Sequence, residues 1–214
     1  RLAVNNTPDI DTLFRYGFTA YQAAQYKTAI EALLKLKEMD PEYTSLYLYL
    51  SKAYEHEGML EESYKISKAG LKVDDFNKEL HLYTAKISMK TDKPTEVEKH
   101  LREAIALDPG YFEAIHMLTK YLVNEERYED VVECIEQVSS YGEYDPQFDW
   151  DLAHAKNKLE QYSDALNHYR HAYTSFKDDV EFLEEYGLFL LEEGERENSI
   201  QIFKRILTIE PTRV

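Results

Sequence analysis

The chain has 214 residues, and its 41 acidic against 25 basic side chains leave a formal net charge of -16. That balance argues against nucleic acids and anionic membranes, which need clustered Lys and Arg, and no apolar run approaches the roughly 20 residues that span a bilayer. One cysteine, Cys134, excludes an internal disulfide and fits a reducing compartment.

No secretory signal is visible, so the expected location is cytoplasmic. A start at Arg1 rather than methionine predicts a fragment or a processed chain. Residues 1–9 read as the remnant of a preceding helix or a linker, with Leu2 and Ala3 where such a helix would end.

From Ile10 the pattern is helical. Leu13, Tyr16, Gly17 and Ala20 recur at i, i+3, i+4 and i+7, which places them on one helix face. After a break near Ala24–Gln25, Ala29, Leu33 and Leu36 form the stripe of a second helix. Asp40-Pro41 ends it, because proline disfavours helix in the residue before it. The unit is a helical hairpin.

The next stretch, SLYLYLSKAY, alternates like a strand, yet it aligns with a later one. Leu46, Leu48, Tyr49 and Lys52 lie 34 residues before Leu80, Leu82, Tyr83 and Lys86. A repeat of that length overrides the local alternation, so SLYLYL is expected to be helix. With the register at Ile10 the units are 10–43, 44–77, 78–111, 112–145, 146–179 and 180–213, without insertion or deletion. Small or modest residues mark two positions per unit. The first reads Gly17, Ser51, Ala85, Thr119, Ala153, Gly187; the second reads Ala29, Ser63, Val97, Val131, Ala165, Ser199. Close helix crossings demand such residues. Prolines end units at Pro41, Pro109 and Pro211, and Tyr26, Tyr128 and Tyr162 precede second helices. The third unit departs most, at Thr84, Ser88 and Pro94, which puts its inter-helix turn in doubt.

This pattern resembles the tetratricopeptide repeat (TPR), in the style of bacterial multi-TPR proteins. The resemblance implies an all-α, right-handed α-solenoid of six tandem 34-residue hairpins. No polar capping helix follows the sixth unit, which predicts that Ile200, Phe203 and Ile206 are partly bare. The expected consequences are a homodimer contact there or a cap lying further along the natural chain.

Opposite the packing stripe lie repeat positions 2, 5, 6, 9, 12 and 13. In the family this is the concave face, and the resemblance implies that peptides bind there. Position nine holds Lys52, Lys86, Lys120 and His154, flanked by Phe14, Phe18, Tyr21, Tyr49, Tyr83, Met117 and Trp150. Aromatic anchors beside a row of cations predict a partner segment that interleaves acidic with apolar or aromatic residues. The duller alternative is a solvated stripe, with Lys52 paired to Glu55 three residues on and the rings packed on one another. Two specialised functions of the family do not transfer. The co-chaperone carboxylate clamp needs Lys and Asn where the first unit has Phe14 and Phe18, and the asparagine ladder is absent.

Phosphate loops, nucleophile elbows and cysteine clusters are missing from the sequence, so no catalytic residue, cofactor or metal site is expected. Glu113-x-x-His116 with Asp151-x-x-His154 resembles half of a di-iron site but lacks the enclosure of a bundle core. His168 and His171 are expected on an outer helix surface, and Cys134 in half-buried packing. The expected function is a non-enzymatic scaffold or adaptor. The alternatives are the peptide-sensing part of a larger receptor, or the TPR carrier region of a larger enzyme.

Overall fold

The structure is a computed structural model that describes residues 9–212. Twelve helices and no strand occur among them: α1 (Ile10–Gln22), α2 (Tyr26–Met39), α3 (Ser45–His56), α4 (Leu60–Val73), α5 (Lys78–Lys90), α6 (Pro94–Leu107), α7 (Phe112–Asn124), α8 (Tyr128–Ser140), α9 (Pro146–Lys158), α10 (Tyr162–Phe176), α11 (Val180–Glu192) and α12 (Arg196–Ile209). SLYLYL is helix, as the repeat requires. Leu2 and Ala3 lie outside the described residues.

Each hairpin turns by one device. Ala24, Gly58, Asp92, Glu126, Glu160 and Gly194 lie 34 residues apart, and all have positive φ. The residue after each donates its N–H five positions back, as Gln25 does to the Ala20 carbonyl and Lys93 to that of Ser88. These are Schellman closures, which satisfy carbonyls left open at the helix end. The doubtful third turn therefore forms like the others. Pro94 opens α6 as its first residue, where its missing N–H costs nothing.

The starts of first helices carry a second periodic signal. Asp9, Asn77, Asp145 and Asp179 accept N–H bonds from Thr12, Leu80, Gln147 and Phe182. At the far end of three hairpins Asp40, Asp74 and Asp108 accept from the N–H two residues on, turning the chain toward the next unit. The fourth uses Gly142, with φ of 86°, instead.

The described residues form two compact units that divide between Ala114 and Ile115. In the first, α2 packs on α3, α4 on α5, and α1 and α5 both touch α3. Its core includes Leu33, Leu36, Leu46, Leu50 and Leu80. In the second, α8 packs on α9 and α10 on α11, around Tyr169, Phe182, Phe189 and Ile202. Every residue of the two small-residue positions is buried. Where that residue is serine on the second helix, its hydroxyl can cap the crossing: Ser63 donates to the Ser51 carbonyl, and Ser199 to that of Gly187, each at 2.8 Å.

Three packing expectations fail. Tyr16 is 57% exposed, because its ring falls at the edge of α1 beside Glu31 and Lys35 rather than under α2. Ile206 is buried against the second unit's core, although Ile200 on the same helix is 52% exposed as expected. Cys134 is fully rather than half buried.

Candidate functional site

The first unit carries a cluster of rings on its odd-numbered helices. Phe14 and Phe18 stack at 6.1 Å; Tyr49 meets Phe18 edge-on at 4.7 Å and Tyr21 at 5.7 Å. Tyr43 extends the cluster at one end, and Tyr26 with His56 at the other. Phe14, Phe18, Tyr21 and Tyr49 are half-buried, so each packs on its neighbours yet keeps an open side. Tyr83 differs. It is buried, and its hydroxyl reaches Ser63 at 2.8 Å and donates to Glu55 at 2.9 Å. Burial and the Glu55 carboxylate push its phenol well above the usual range. Tyr83 is thus a floor beneath the face rather than a projecting anchor.

Lys52 stands between these rings. Its ammonium lies 5.9 Å from the Tyr49 centroid and 6.0 Å from that of Tyr83, within cation–π range. It makes no ion pair or hydrogen bond among the described residues. Glu55, the obvious local partner, is occupied by Lys90 at 2.5 Å and by Tyr83. Burial, and then the neighbouring Lys86, hold the Lys52 pKa below the ordinary lysine value. By contrast Lys68, Lys78, Lys86, Lys90 and Lys93 all sit 2.5–2.7 Å from a carboxylate, Lys86 using Glu113. Of the expected row, Lys86 is committed within the chain and Lys52 is not.

The second unit shows a cleft of about 420 Å³ between α7, α9 and α11, with Trp150, Lys120, His154 and Gln147 in its lining. Its chemistry is not simply positive. Asp151, Glu181 and Glu185 line it as well. Glu185 accepts from the Trp150 indole at 2.9 Å, His154 Nδ1 at 2.9 Å and the Tyr169 hydroxyl at 2.7 Å. Burial raises its pKa, but those three donors outweigh burial and hold it below the usual value. Asp151 accepts from Thr119 at 2.7 Å and Gln147 at 2.9 Å, yet burial still leaves its pKa raised. His154 and Trp150 are therefore held by Glu185, and Trp150 also packs edge-on against Phe176 and Phe182. Met117 is half-buried on α7; Lys120 is exposed and unpaired among the described residues. Glu185, invisible as an organiser in the sequence, is the hub of this cleft.

The di-iron-like pairs do not converge. His116 faces Asp145 at 3.6 Å, while Asp151 and His154 turn to separate partners. Among the described residues the group with metal-ligand spacing is instead Asp149, His168 and His171. His168 was expected on the surface; it is half-buried and bonded to Asp149 at 2.7 Å. No helix among the described residues is long and apolar enough to cross a membrane.

Residues 146–213 match a family described as YpiA-like, C-terminal tetratricopeptide repeats. The chain is 49% identical over 208 residues to the TPR repeat-containing protein YpiA of Bacillus subtilis, covering 97% of this chain and 49% of that one. It therefore spans about half the length of that relative. Among solved structures it is similar to YrrB, a TPR protein with an unusual peptide-binding site, at TM-score 0.69 and 14% identity over 86% of this chain and 95% of that one. PilF of Pseudomonas aeruginosa is similar at TM-score 0.70 and 16% identity, over 95% and 93% of the two chains.

Proposed function

The chain is a tetratricopeptide repeat protein, and we propose that it is a non-enzymatic, cytoplasmic scaffold gripping a segment of another protein on its odd-numbered helices. The observation that carries this reading is Lys52: a half-buried cation against two tyrosine rings, with no ion pair to a carboxylate among the described residues, in a chain with 41 acids. Holding a desolvated ammonium apart from internal acids costs stability. An incoming carboxylate recovers that cost and gains a charge-assisted bond. The half-buried Phe14, Phe18, Tyr21 and Tyr49 supply apolar contact beside it, so the segment carries an acid flanked by apolar or aromatic residues.

The second unit asks for different chemistry. Asp151, Glu181 and Glu185 outnumber Lys120 among its fixed charges, so its cleft suits hydrogen-bond donors, with Lys120, Met117 and the open side of Trp150 available at its margin. That YrrB has a peptide-binding site on a similar fold is consistent with this use.

The test is capture of binding proteins by the native chain, a Lys52→Glu variant and a Lys204→Glu control, Lys204 being exposed on α12. A protein retained by native and control but weakened at least about tenfold, or 1.4 kcal/mol, by Lys52→Glu supports the reading. Equal retention by all three removes Lys52 from the site.

A further inference from the structure

We propose a transition-metal site, suited to Zn²⁺, built from Asp149 of α9 with His168 and His171 of α10. The three ligand atoms all lie within 4.8 Å of one another. His168 Nδ1 is 2.7 Å and His171 Nδ1 3.8 Å from the same oxygen, Oδ1 of Asp149. The two imidazoles sit one helical turn apart with ring planes at 90°, which brings their nitrogens together on one carboxylate.

Hydrogen bonding alone does not require this arrangement. Asp149 is only 7% exposed, and its other oxygen, Oδ2, already accepts from the Tyr144 hydroxyl at 2.8 Å. His168 then satisfies Oδ1. A second imidazole, aimed at that atom but beyond hydrogen-bond range, is redundant for Asp149 and useful to a cation. Ligands at about 2.1 Å in tetrahedral geometry stand about 3.4 Å apart. The observed 2.7 and 3.8 Å bracket that value, and His171, 72% exposed, is free to close the remainder.

Two imidazoles and one carboxylate match the borderline ligand preference of zinc, and three protein ligands leave a fourth position for water or another molecule's side chain. Tyr144 acts as the outer partner that orients the carboxylate. When Zn²⁺ binds Nδ1 of His168, the proton that Nδ1 shares with Asp149 moves to Nε2 or leaves to water, and the bonds balance.

The experiment is competition for Zn²⁺ between the purified chain and a chromophoric chelator. One site per chain is expected, weakened at least tenfold by His171→Ala and by His168→Gln. His56→Ala, an exposed histidine outside the group, should leave it unchanged. Tyr144→Phe should weaken it by a smaller factor. Because His171 is exposed, its variant keeps the fold even if His168→Gln does not. Zinc should raise the melting temperature of the native chain and not of His171→Ala. No stoichiometric binding, or equal affinity in His171→Ala, overturns the site.

Discussion

Ala24, Asp92, Glu126 and Glu160 occupy the left-handed turn position that Gly58 and Gly194 fill in the other two hairpins. An L-residue there bears about 1–2 kcal/mol of steric cost. Glycine escapes it but loses about 0.5–1 kcal/mol of backbone entropy on folding. The difference favours glycine, so Glu160→Gly should stabilise the chain by about 0.5–1 kcal/mol, and Gly58→Ala should destabilise it by a similar amount. Urea midpoints at constant m-value measure both, and a loss of stability in Glu160→Gly would mean that its side chain holds something the turn needs. Lys52 is the other informative residue. Lys52→Met keeps the stem over the Tyr rings and removes a partly desolvated charge, so stability should hold or rise while partner capture falls. A clear drop in stability would show that the ammonium serves the fold.

Among the described helical glycines, Gly70 on α4 lies closest to its neighbouring helices. A Cβ there would fall 2.5 Å from Tyr47 Cβ and 2.7 Å from Leu80 Cδ2. Gly70→Ala gains about 1 kcal/mol of helix propensity, but overpacking against two buried side chains costs about 1–3 kcal/mol. Net destabilisation is expected in thermal melts. At Gly187 the nearest atoms are the far end of the Phe203 ring at 3.0 Å and Ile202 Cγ2 at 3.2 Å, so Gly187→Ala should cost less.

Helices α4, α5 and α6 also share a buried imidazole pair. His81 Nε2 donates to the Asp75 carbonyl at 2.9 Å, and His81 and His100 meet through Nδ1 at 2.9 Å. One proton fits between them. With His100 donating it, His100 Nε2 accepts from Lys68 at 3.1 Å, and Lys68 also donates to Glu96 at 2.5 Å. A proton on Nε2 would find Glu96 at 3.1 Å but face the Lys68 ammonium. Burial first, then Lys68 and His81, thus lower the His100 pKa from 6.5 to about 4. The unfolded state binds this proton at higher pH than the folded state does. Stability therefore falls as pH drops from 6.5 toward 4, with a slope of at most about 1.4 kcal/mol per pH unit from this group. Denaturation midpoints across that window should show a shallower fall in His100→Gln than in the native chain. Parallel curves would assign the slope to other groups.

At the scale of the molecule the excess of 16 negative charges repels itself. Exposed ion pairs such as Lys86–Glu113 contribute at most about 1 kcal/mol each. Raising ionic strength from about 0.01 M to 0.15 M shortens the screening length from about 30 Å to 8 Å. The melting temperature should therefore rise with salt; a fall would mean that the lysine–carboxylate pairs outweigh the repulsion.

The helical fold, the 34-residue period and the buried crossing residues were legible in the sequence by itself, because each depends on near neighbours: a 3.6-residue apolar stripe, a small residue every repeat, a proline after a helix end. Even the false strand at SLYLYL yielded to the period. What the sequence could not contain was commitment. Whether Lys52 or Lys86 is paired depends on residues distant in the chain: Lys90, 35 residues away, takes Glu55 from Lys52, and Glu113, 27 residues away, reaches Lys86. Tyr83 reads as an exposed anchor by periodicity, yet it is buried, with its hydroxyl against that of Ser63 on the preceding helix. Likewise His168 looks like a surface residue until α9 brings Asp149 against it, while His171 stays exposed as expected. Local periodicity assigns a face; only the packed neighbours decide which polar groups on that face are already satisfied.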